Sequence, residues 1–354
     1  MAVEVVPVTG PEGLQSFNAF PGVVYRGTFA APPFPIIEHA GHKRDRLFER
    51  VEAQAFLAVN RGYAAGRIAA GVHTDGRYRA TGYFGYFEAL PDPTVAAALL
   101  EAASAWLNAR GVKVMIGPVD LTPHERVGLL VEGFRGLHLP GMPYNPPYYQ
   151  ELLKSCGLEL EMNLLAYYCD LRKPLPERLL RVAARAMNNQ ALRIRELDFN
   201  NLSAEGEIFS CLHNGSMSGI WGFAPLSPEE GAAIWRKLQG FYDPSLLLVA
   251  EIDGKPAGLC LTLSVLKRNS GMAMAGPQTA RLAVLAVLPA FRFKGLEAAL
   301  IIECFRRACR RGVMRFEFSQ IAENNQMMNK IIQSADQARK SRVYRVYRKI
   351  LSGS

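Results

Sequence analysis

Two stretches of the chain show the same succession of hydrophobic and polar positions. "LAVNRGYAAG" at residues 57–66 and "VAEIDGKPAG" at residues 249–258 each read as a strand, a turn that contains glycine and a second strand. Asp253-Gly254 is a typical pair for a two-residue hairpin turn. The pattern therefore predicts one β-hairpin in each half of the chain.

A second repeated pattern follows each hairpin. "AALLEAASAWLNARGV" at residues 97–112 and "AALIIECFRRACRRGV" at residues 298–313 carry apolar residues at helical spacing. Gly111 and Gly312 stand where a helix ends in a left-handed residue, and a strand-like segment precedes and follows each helix. The order hairpin, strand, helix, strand predicts an α/β class with a mixed (α+β) sheet and a crossover helix.

The whole chain is long enough for two such modules. It has 354 residues, and Lys173, Pro174 and Pro176 form a short linker between the halves. We therefore predict two tandem modules, one at residues 1–172 and one at residues 173–354.

Composition narrows the choice of partners only a little. The net charge of +9 makes anionic partners such as nucleic acid, phosphorylated cofactors or anionic lipid plausible, although a basic surface alone also explains it. The six cysteines show no CxxC spacing, and no metal site is expected. Without a signal-peptide pattern or a membrane-spanning apolar run, the sequence predicts a cytoplasmic protein with no membrane partner. The oligomeric state is left open.

The turn between a buried strand and the second of these helices carries the strongest chemical signal. After Pro289 come Arg292, Lys294 and Gly295, and then the helix begins. Backbone N–H groups at a helix start bind anions, and the two cations add full charges beside them. From this spacing alone, a phosphate site and a simple glycine turn are equally supported.

The residues around this turn resemble the acyl-CoA loop of the Gcn5-related N-acetyltransferases. The residues in register with that loop are Val287, Pro289, Phe291, Arg292, Lys294, Gly295 and Leu296, and "EIDGKPAG" is similar to the hairpin of the family. The resemblance covers about residues 193–350 and, more faintly, residues 50–170. It implies two tandem modules of that fold, the second of which holds acetyl-CoA or another acyl-CoA. The residues that it assigns to the cofactor are Leu285, Val287, Arg292, Phe293, Lys294, Gly295, Leu296, Glu297, Asn324 and Asn325.

The match departs from the family at positions that matter for catalysis. Glu297 stands where the family has Gly or Ala, so that a carboxylate would face a pyrophosphate. The family's proton-donating tyrosine corresponds here to Ile331 or Ile332. Catalytic roles are therefore unassigned. Tyr344, Tyr347 and Glu317 are candidates, although a solvated polar strand face also explains Glu317.

The first half departs further, and we interpret it as a degenerate module. Residues 91–94, Pro-Asp-Pro-Thr, replace the cationic loop, and Asp92 or Thr94 is better suited to cap a helix. Several aromatic and polar residues could line a substrate pocket, and ordinary packing is the other interpretation. They are Tyr144, Asn145, Tyr148, Tyr149, Trp221 and Phe223.

The resemblance predicts an acyl-CoA-dependent N-acyltransferase, with acetyl-CoA as the expected donor and a small-molecule or peptide amine that attacks the thioester directly. Two alternatives stand beside it. One is a Fem-type aminoacyl-tRNA-dependent transferase, the only case with a nucleic-acid partner. The other is a ligand-binding protein of this fold without catalysis. Acyl-chain length, the amine and the general base are not predicted.

Overall fold

The computed structural model describes residues 3–26, 47, 49–74, 80–135, 139, 141–264, 278–333 and 338–351. It divides into two compact units. Unit 1 comprises residues 1–164 together with 342–354, and unit 2 comprises residues 165–341.

Unit 1 is built on a mixed sheet with helices. Its strands are β1 (Glu4–Pro7), β2 (Val51–Asn60), β3 (Tyr63–His73), β4 (Thr81–Ala89), β5 (Val114–Gly117), β6 (Leu129–Glu132), the first part of β7 (Glu159–Asp170) and most of β13 (Arg339–Ile350). Its helices are α1 (Gly10–Ala19), α2 (Pro21–Val24), α3 (Pro93–Asn108) and α4 (Tyr149–Ser155). The strands follow the order β1-β2-β3-β4-β5-β13, and β6 also pairs with β13.

Unit 2 repeats this architecture. Its strands are the end of β7, β8 (Leu192–Glu196), β9 (Leu247–Ile252), β10 (Lys255–Leu263), β11 (Gln278–Val287) and β12 (Val313–Ala322). Its helices are α5 (Glu177–Met187), α6 (Leu202–Met217), α7 (Pro228–Leu238), α8 (Leu296–Arg310) and α9 (Gln326–Gln333). The strand order is β8-β9-β10-β11-β12-β7, in which β11 and β12 are parallel.

The predicted repeats are present in both units. The hairpins β2–β3 and β9–β10 turn at Arg61-Gly62 and Asp253-Gly254, and all four residues have positive φ, as such turns require. The helices α3 and α8 connect the parallel pairs β4–β5 and β11–β12, and each is followed by a left-handed glycine. The prediction of an α/β fold with two tandem modules is therefore confirmed.

The division into units differs from the predicted modules, 1–172 and 173–354, in two places. The observed boundary lies inside β7, between residues 164 and 165, rather than after residue 172, and the last residues of the chain belong to unit 1 rather than to unit 2. The physical reason is strand pairing, because β13 is antiparallel to β5 and β6, with Tyr347 opposite Gly117.

Each unit has its own hydrophobic core beneath its crossover helix. In unit 1 the core includes Phe84, Leu99 and Leu107, and in unit 2 it includes Leu300, Phe305 and Phe316. Among the described helices, none combines the length and the apolar character that crossing a membrane requires.

Candidate functional site

The loop between β11 and α8 has the geometry of an anion-binding helix start. The chain leaves β11 at Val287, makes a single 3₁₀ turn at Pro289–Phe291 and enters α8 through Gly295, whose φ is 85°. The Ala299 N–H donates to the Gly295 carbonyl at 3.0 Å, which is the first helical hydrogen bond. Helix geometry therefore leaves the N–H groups of residues 296–298 without intrahelical acceptors.

Gly295 is required by packing as well as by its backbone conformation. A Cβ atom at this position would lie 3.0 Å from Val182 Cγ1 and 3.0 Å from the Val182 carbonyl oxygen on α5. Because one of these neighbours is backbone, α5 could not simply rotate a side chain away. Gly295 thus fixes the loop closely against α5.

Strand β11 presents an open edge next to this loop. Its described pairing with β12 runs only to Leu282 opposite Phe318, whereas its pairing with β10 continues to Val287 opposite Gly258. The Leu288 N–H donates to the Ala257 carbonyl on β10 at 3.0 Å. Because N–H groups alternate between the two edges of a strand, those of Leu285 and Val287 face the other edge. Two amides predicted to hold the acyl-CoA therefore face the opening between β11 and β12.

Arg292 ties the loop to the end of α6. Its Nε donates to the Val287 carbonyl at 3.1 Å and its Nη2 donates to the Ser216 carbonyl at 2.6 Å. The guanidinium is thus committed to protein carbonyls, and its charge lies beside the open edge. Lys294 is exposed, with its Nζ 5.8 Å from the centre of the Phe291 ring.

A groove of about 420 Å³ begins at this edge. Its walls come from the end of β11, the loop, the end of α6 and the start of α9, and most of the side chains are apolar or small. The lining residues are Gly215, Ser216, Met217, Ser218, Gly219, Ile220, Leu285, Val287, Pro289, Arg292, Glu297, Asn325, Met327 and Met328.

Five of the predicted cofactor residues meet in this groove. Leu285, Val287, Arg292, Glu297 and Asn325 line it. The Asn325 side chain also accepts a hydrogen bond from the Met328 N–H at 3.2 Å and so caps the start of α9. The remaining five do not line it: Phe293, Lys294 and Asn324 are exposed, while Gly295 and Leu296 are buried.

The opposite wall of the groove is not predicted by the sequence. Residues 215–220 and the methionines of α9 line it, but they carry no charged or motif-like signal in the linear sequence. Only the packing of α6 against β10 and β11 brings them to the loop.

The three catalytic candidates lie outside the groove lining. Tyr344 and Tyr347 are buried in unit 1, and Tyr347 belongs to its core. Glu317 is only 2% exposed and accepts a hydrogen bond from Ser319 Oγ at 2.9 Å. The interpretation of Glu317 as part of a solvated strand face is therefore wrong, since the surrounding elements cover this face of β12. Ile332, one of the two counterparts of the family tyrosine, is buried in the core of unit 2.

Unit 1 has the same strand geometry at the corresponding position. Gly66 lies opposite Ala89 as Gly258 lies opposite Val287, and the Leu90 N–H donates to the Ala65 carbonyl at 3.0 Å. Here, however, side chains occupy the edge. Tyr149 Oη accepts from the Ala89 N–H at 3.0 Å, and Tyr148 Oη donates to the Ala89 carbonyl at 2.7 Å. The amide that is open in unit 2 is closed by tyrosines in unit 1.

A buried carboxylate, Glu88, holds Tyr149 in place together with a further tyrosine, Tyr25. Glu88 Oε2 accepts from Tyr149 Oη at 2.6 Å and from Tyr25 Oη at 2.9 Å, and Arg67 Nη2 lies 3.8 Å from Glu88 Oε1. Burial raises the pKa of Glu88 against the opposing effect of Arg67, and burial also raises the pKa of Tyr149 far above its usual range. Burial raises the pKa of Tyr148 to about 12.

The helix start of unit 1 is also occupied. Asp92 Oδ1 accepts from the Thr94 N–H at 2.8 Å, and Pro93 at the first helical position has no N–H to offer. The hydrogen bond from the Thr94 side chain lowers the pKa of Asp92. The prediction that Asp92 caps a helix at this turn is confirmed.

The predicted pocket residues serve mainly in packing. Tyr144 and Asn145 line a cavity of about 40 Å³ with Glu88 and Arg126, which is too small for a cofactor. The Asn145 amide exchanges hydrogen bonds with the Leu130 backbone.

The other two predicted pocket residues lie in unit 2, outside the groove. Trp221 and Phe223 follow the segment that lines the groove, and Phe223 stacks on His213 at 5.4 Å. Within the described residues, no group of three or more His, Cys, Asp or Glu side chains could hold a metal ion.

The chain is similar in sequence to known proteins. Residues 217–333 match the model of the acetyltransferase (GNAT) family. The chain is 28% identical over 371 residues to Protein YghO of Escherichia coli (strain K12), covering 95% of this chain and 92% of that protein. It is also 28% identical over 379 residues to a protein of Caulobacter vibrioides (strain NA1000 / CB15N) named bacterial ceramide synthase, covering 99% and 98%.

A solved structure has the same tandem fold. A tandem GNAT protein from the clavulanic acid biosynthesis pathway superposes with a TM-score of 0.60 at 13% identity, covering 99% of each chain. At this identity the likeness concerns the fold, and it extends over both units. Residues 217–333 of unit 2 therefore match the acetyltransferase (GNAT) family, and the two units together share the fold of a tandem GNAT protein.

Proposed function

We propose that the protein is an N-acyltransferase that transfers a long-chain acyl group from its CoA thioester to the amine of a long-chain lipid base. The observation that carries this proposal is the groove of unit 2. It joins two unpaired strand amides, a helix start and an apolar lining in one opening.

The residues fit an acyl-CoA at most points of the groove. The N–H groups at the start of α8 suit a pyrophosphate, and Arg292 and Lys294 add positive charge. Leu285 and Val287 offer their N–H groups to the thioester or to the amide groups of its pantetheine arm. Glu297 is the exception, because its carboxylate lines the same groove.

The chain's own groups would position and polarise the reacting bond. An N–H of β11 donates to the thioester carbonyl and stabilises the negative charge that develops when the amine attacks. The amine nitrogen bonds to the acyl carbon to give a tetrahedral intermediate, and its collapse breaks the carbon–sulfur bond and releases CoA as a thiolate, which takes a proton from water. The amine proton passes to water or to Glu297, which carries the one carboxylate among the described lining residues.

The length of the acyl group is inferred from the lining and from a relative. Met217, Ile220, Met327 and Met328 extend the groove with flexible apolar surface, which suits an alkyl chain better than an acetyl group alone. A ceramide is a long-chain base whose amine carries a fatty acyl group. The similarity to the Caulobacter protein over nearly the whole chain therefore favours this class of acceptor and donor.

The test is an acyl-transfer assay on the full chain. Acetyl-CoA and palmitoyl-CoA are each offered with a sphingoid base, a short alkylamine and a peptide amine, and product formation is followed by mass spectrometry. We expect turnover with palmitoyl-CoA and the sphingoid base. Turnover restricted to acetyl-CoA, or to the peptide, would contradict the proposed substrate class.

Two variants examine the site itself. Val287→Pro removes one N–H from the open edge without touching the ladder to β10 and should lower kcat about 100-fold, as for an oxyanion donor. Val287→Ala keeps that N–H and is its matched control.

Glu297→Ala removes a negative charge near the expected pyrophosphate and should tighten acyl-CoA binding, more at low salt than at high salt.

The same assay separates the two alternatives. Transfer from aminoacyl-tRNA without use of any acyl-CoA would identify the Fem-type activity. Binding of acyl-CoA without turnover across the amines would identify a ligand-binding protein.

A further inference from the structure

An aromatic side chain projects from the loop at the groove. Phe293 lies between Arg292 and Lys294, and it is 89% exposed. Its φ is 61°, a conformation that is unfavourable for a bulky residue. The molecule thus maintains an exposed aromatic ring on a strained backbone without burying the ring. A contact outside the chain would account for both features.

Further apolar side chains are exposed around the same opening. Ile220 and Met327 line the groove and are 37% and 44% exposed. Val182 of α5 is 40% exposed, and it is the residue against which Gly295 packs. We call Val182, Ile220, Phe293 and Met327 the rim. Its members come from four different elements, so they form separate projections around an opening rather than one concave pocket.

Cationic side chains lie close in sequence to three of the rim residues. Lys294 is adjacent to Phe293, Arg181 and Arg185 flank Val182 on α5, and Lys330 is one turn beyond Met327 on α9. All four side chains are exposed. The acidic groups on the same elements are Glu297 in the groove, Glu323 before α9 and Glu177 at the start of α5.

Apolar projections interleaved with cations suit a lipid surface, because the rings and alkyl groups enter the headgroup boundary while the cations meet anionic headgroups. We propose that the rim docks on the surface of an anionic phospholipid bilayer, with Phe293 inserted at the boundary between headgroups and acyl chains. This inference rests on the proposed function, since long-chain thioesters and lipid bases reside in that boundary.

Such docking differs from the expectation of no membrane partner. That expectation rested on the lack of a spanning segment, and docking at a surface requires none. A basic groove mouth would also suit an acidic soluble protein. The projecting aromatic ring and the scattered apolar rim favour the bilayer, because an acidic protein surface gains little from four separate apolar projections.

The experiment measures flotation of the full chain with vesicles, in the absence of acyl-CoA and amine. Vesicles of equimolar phosphatidylcholine and phosphatidylglycerol are compared with vesicles of phosphatidylcholine alone. We expect binding to the anionic vesicles that weakens as salt is added. Phe293→Gly should weaken partitioning about 10-fold or more. Since glycine accepts the positive φ, this variant should unfold at no lower temperature than the parent.

Two further variants control the interpretation. Phe241→Gly removes another exposed aromatic residue, after α7 and outside the groove lining, and should change vesicle binding less than about twofold. Arg185→Glu with Lys294→Glu should weaken binding to the anionic vesicles by at least about 10-fold.

Unchanged flotation of Phe293→Gly, or flotation of neither parent nor variant, would overturn the inference. So would binding to an acidic acyl carrier protein in place of vesicles. Because the assay contains no substrate, vesicle binding together with absent acyl transfer would refute the proposed function alone. Transfer without vesicle binding would refute the docking inference alone.

Discussion

At the scale of single residues, the two units differ in what meets one strand amide. The Ala89 N–H of unit 1 donates to Tyr149 Oη, whereas the Val287 N–H of unit 2 faces an open edge. A tyrosine hydroxyl held by a buried carboxylate therefore closes one site. The same strand edge is thus closed by a side chain in unit 1 and open in unit 2.

The buried carboxylate gives a prediction for the pH dependence of stability. Because burial raises the pKa of Glu88, the folded state binds its proton more tightly than the unfolded state, where the pKa is about 4.3. The resulting stabilisation is present below the unfolded pKa and is lost as pH rises through the folded pKa. The free energy of unfolding of the parent, relative to Glu88→Gln, should therefore fall as pH rises from about 4.

Urea unfolding at a series of pH values measures this difference. Glu101→Gln, at an exposed position on α3, is the control for loss of one carboxylate. A difference between parent and Glu88→Gln that rises with pH would show that the partners of Glu88, and not its burial, control its ionisation.

At the scale of elements, the position of α5 beside the loop depends on one glycine. Gly295 lets the loop turn into α8 and lets the Val182 backbone approach. Its φ alone would explain a glycine, but the close approach adds a second requirement. The packing of α5 on α8 and the geometry of the loop between β11 and α8 are thereby coupled.

Two alanine substitutions separate these requirements. Gly254 in the β9–β10 turn has a φ of 73°, and a Cβ at this position would meet open space. Gly254→Ala should therefore lower the free energy of unfolding by only about 1 kcal/mol, through its backbone conformation. Gly295→Ala meets Val182 as well and should cost about 1–3 kcal/mol more. Urea unfolding followed by tryptophan emission measures both. Equal losses would mean that α5 moves aside freely.

At the scale of the whole molecule, the last strand determines where unit 1 ends. Residues 342–354 come after all of unit 2 in the chain, yet they belong to unit 1. Residues of β13 pair with β5 and β6, which are short strands of four residues each. Unit 1 is therefore completed only when the end of the chain is available.

Truncation after Ser341 tests this dependence. We expect the backbone amides of β5 and β6 to exchange with deuterium much faster, because their pairing partner is gone, while those of β10 and β11 stay protected. Removal of residues 352–354 alone is the control. Equal protection of β5 in the parent and in the longer truncation would contradict the role of β13.

The sequence alone determined the repeated local structure and the chemical nature of the loop. The hairpins, the crossover helices and the Arg292–Gly295 turn follow from periodicity, from turn residues and from glycines at positive φ, which are local properties. The family resemblance could be recognised from the sequence for the same reason, because the residues of the loop motif are contiguous in the chain.

Which side chains and strand edges are accessible to a ligand depends on the tertiary structure. Burial of Glu317, closure of the Ala89 edge by Tyr148 and Tyr149, and the α6 wall of the groove all depend on segments distant in sequence. The assignment of β13 to unit 1 depends likewise on long-range pairing. Alternation of polar and apolar residues predicts which face of a strand each side chain occupies. The elements that pack on that face determine whether it is solvated, closed or open to a ligand.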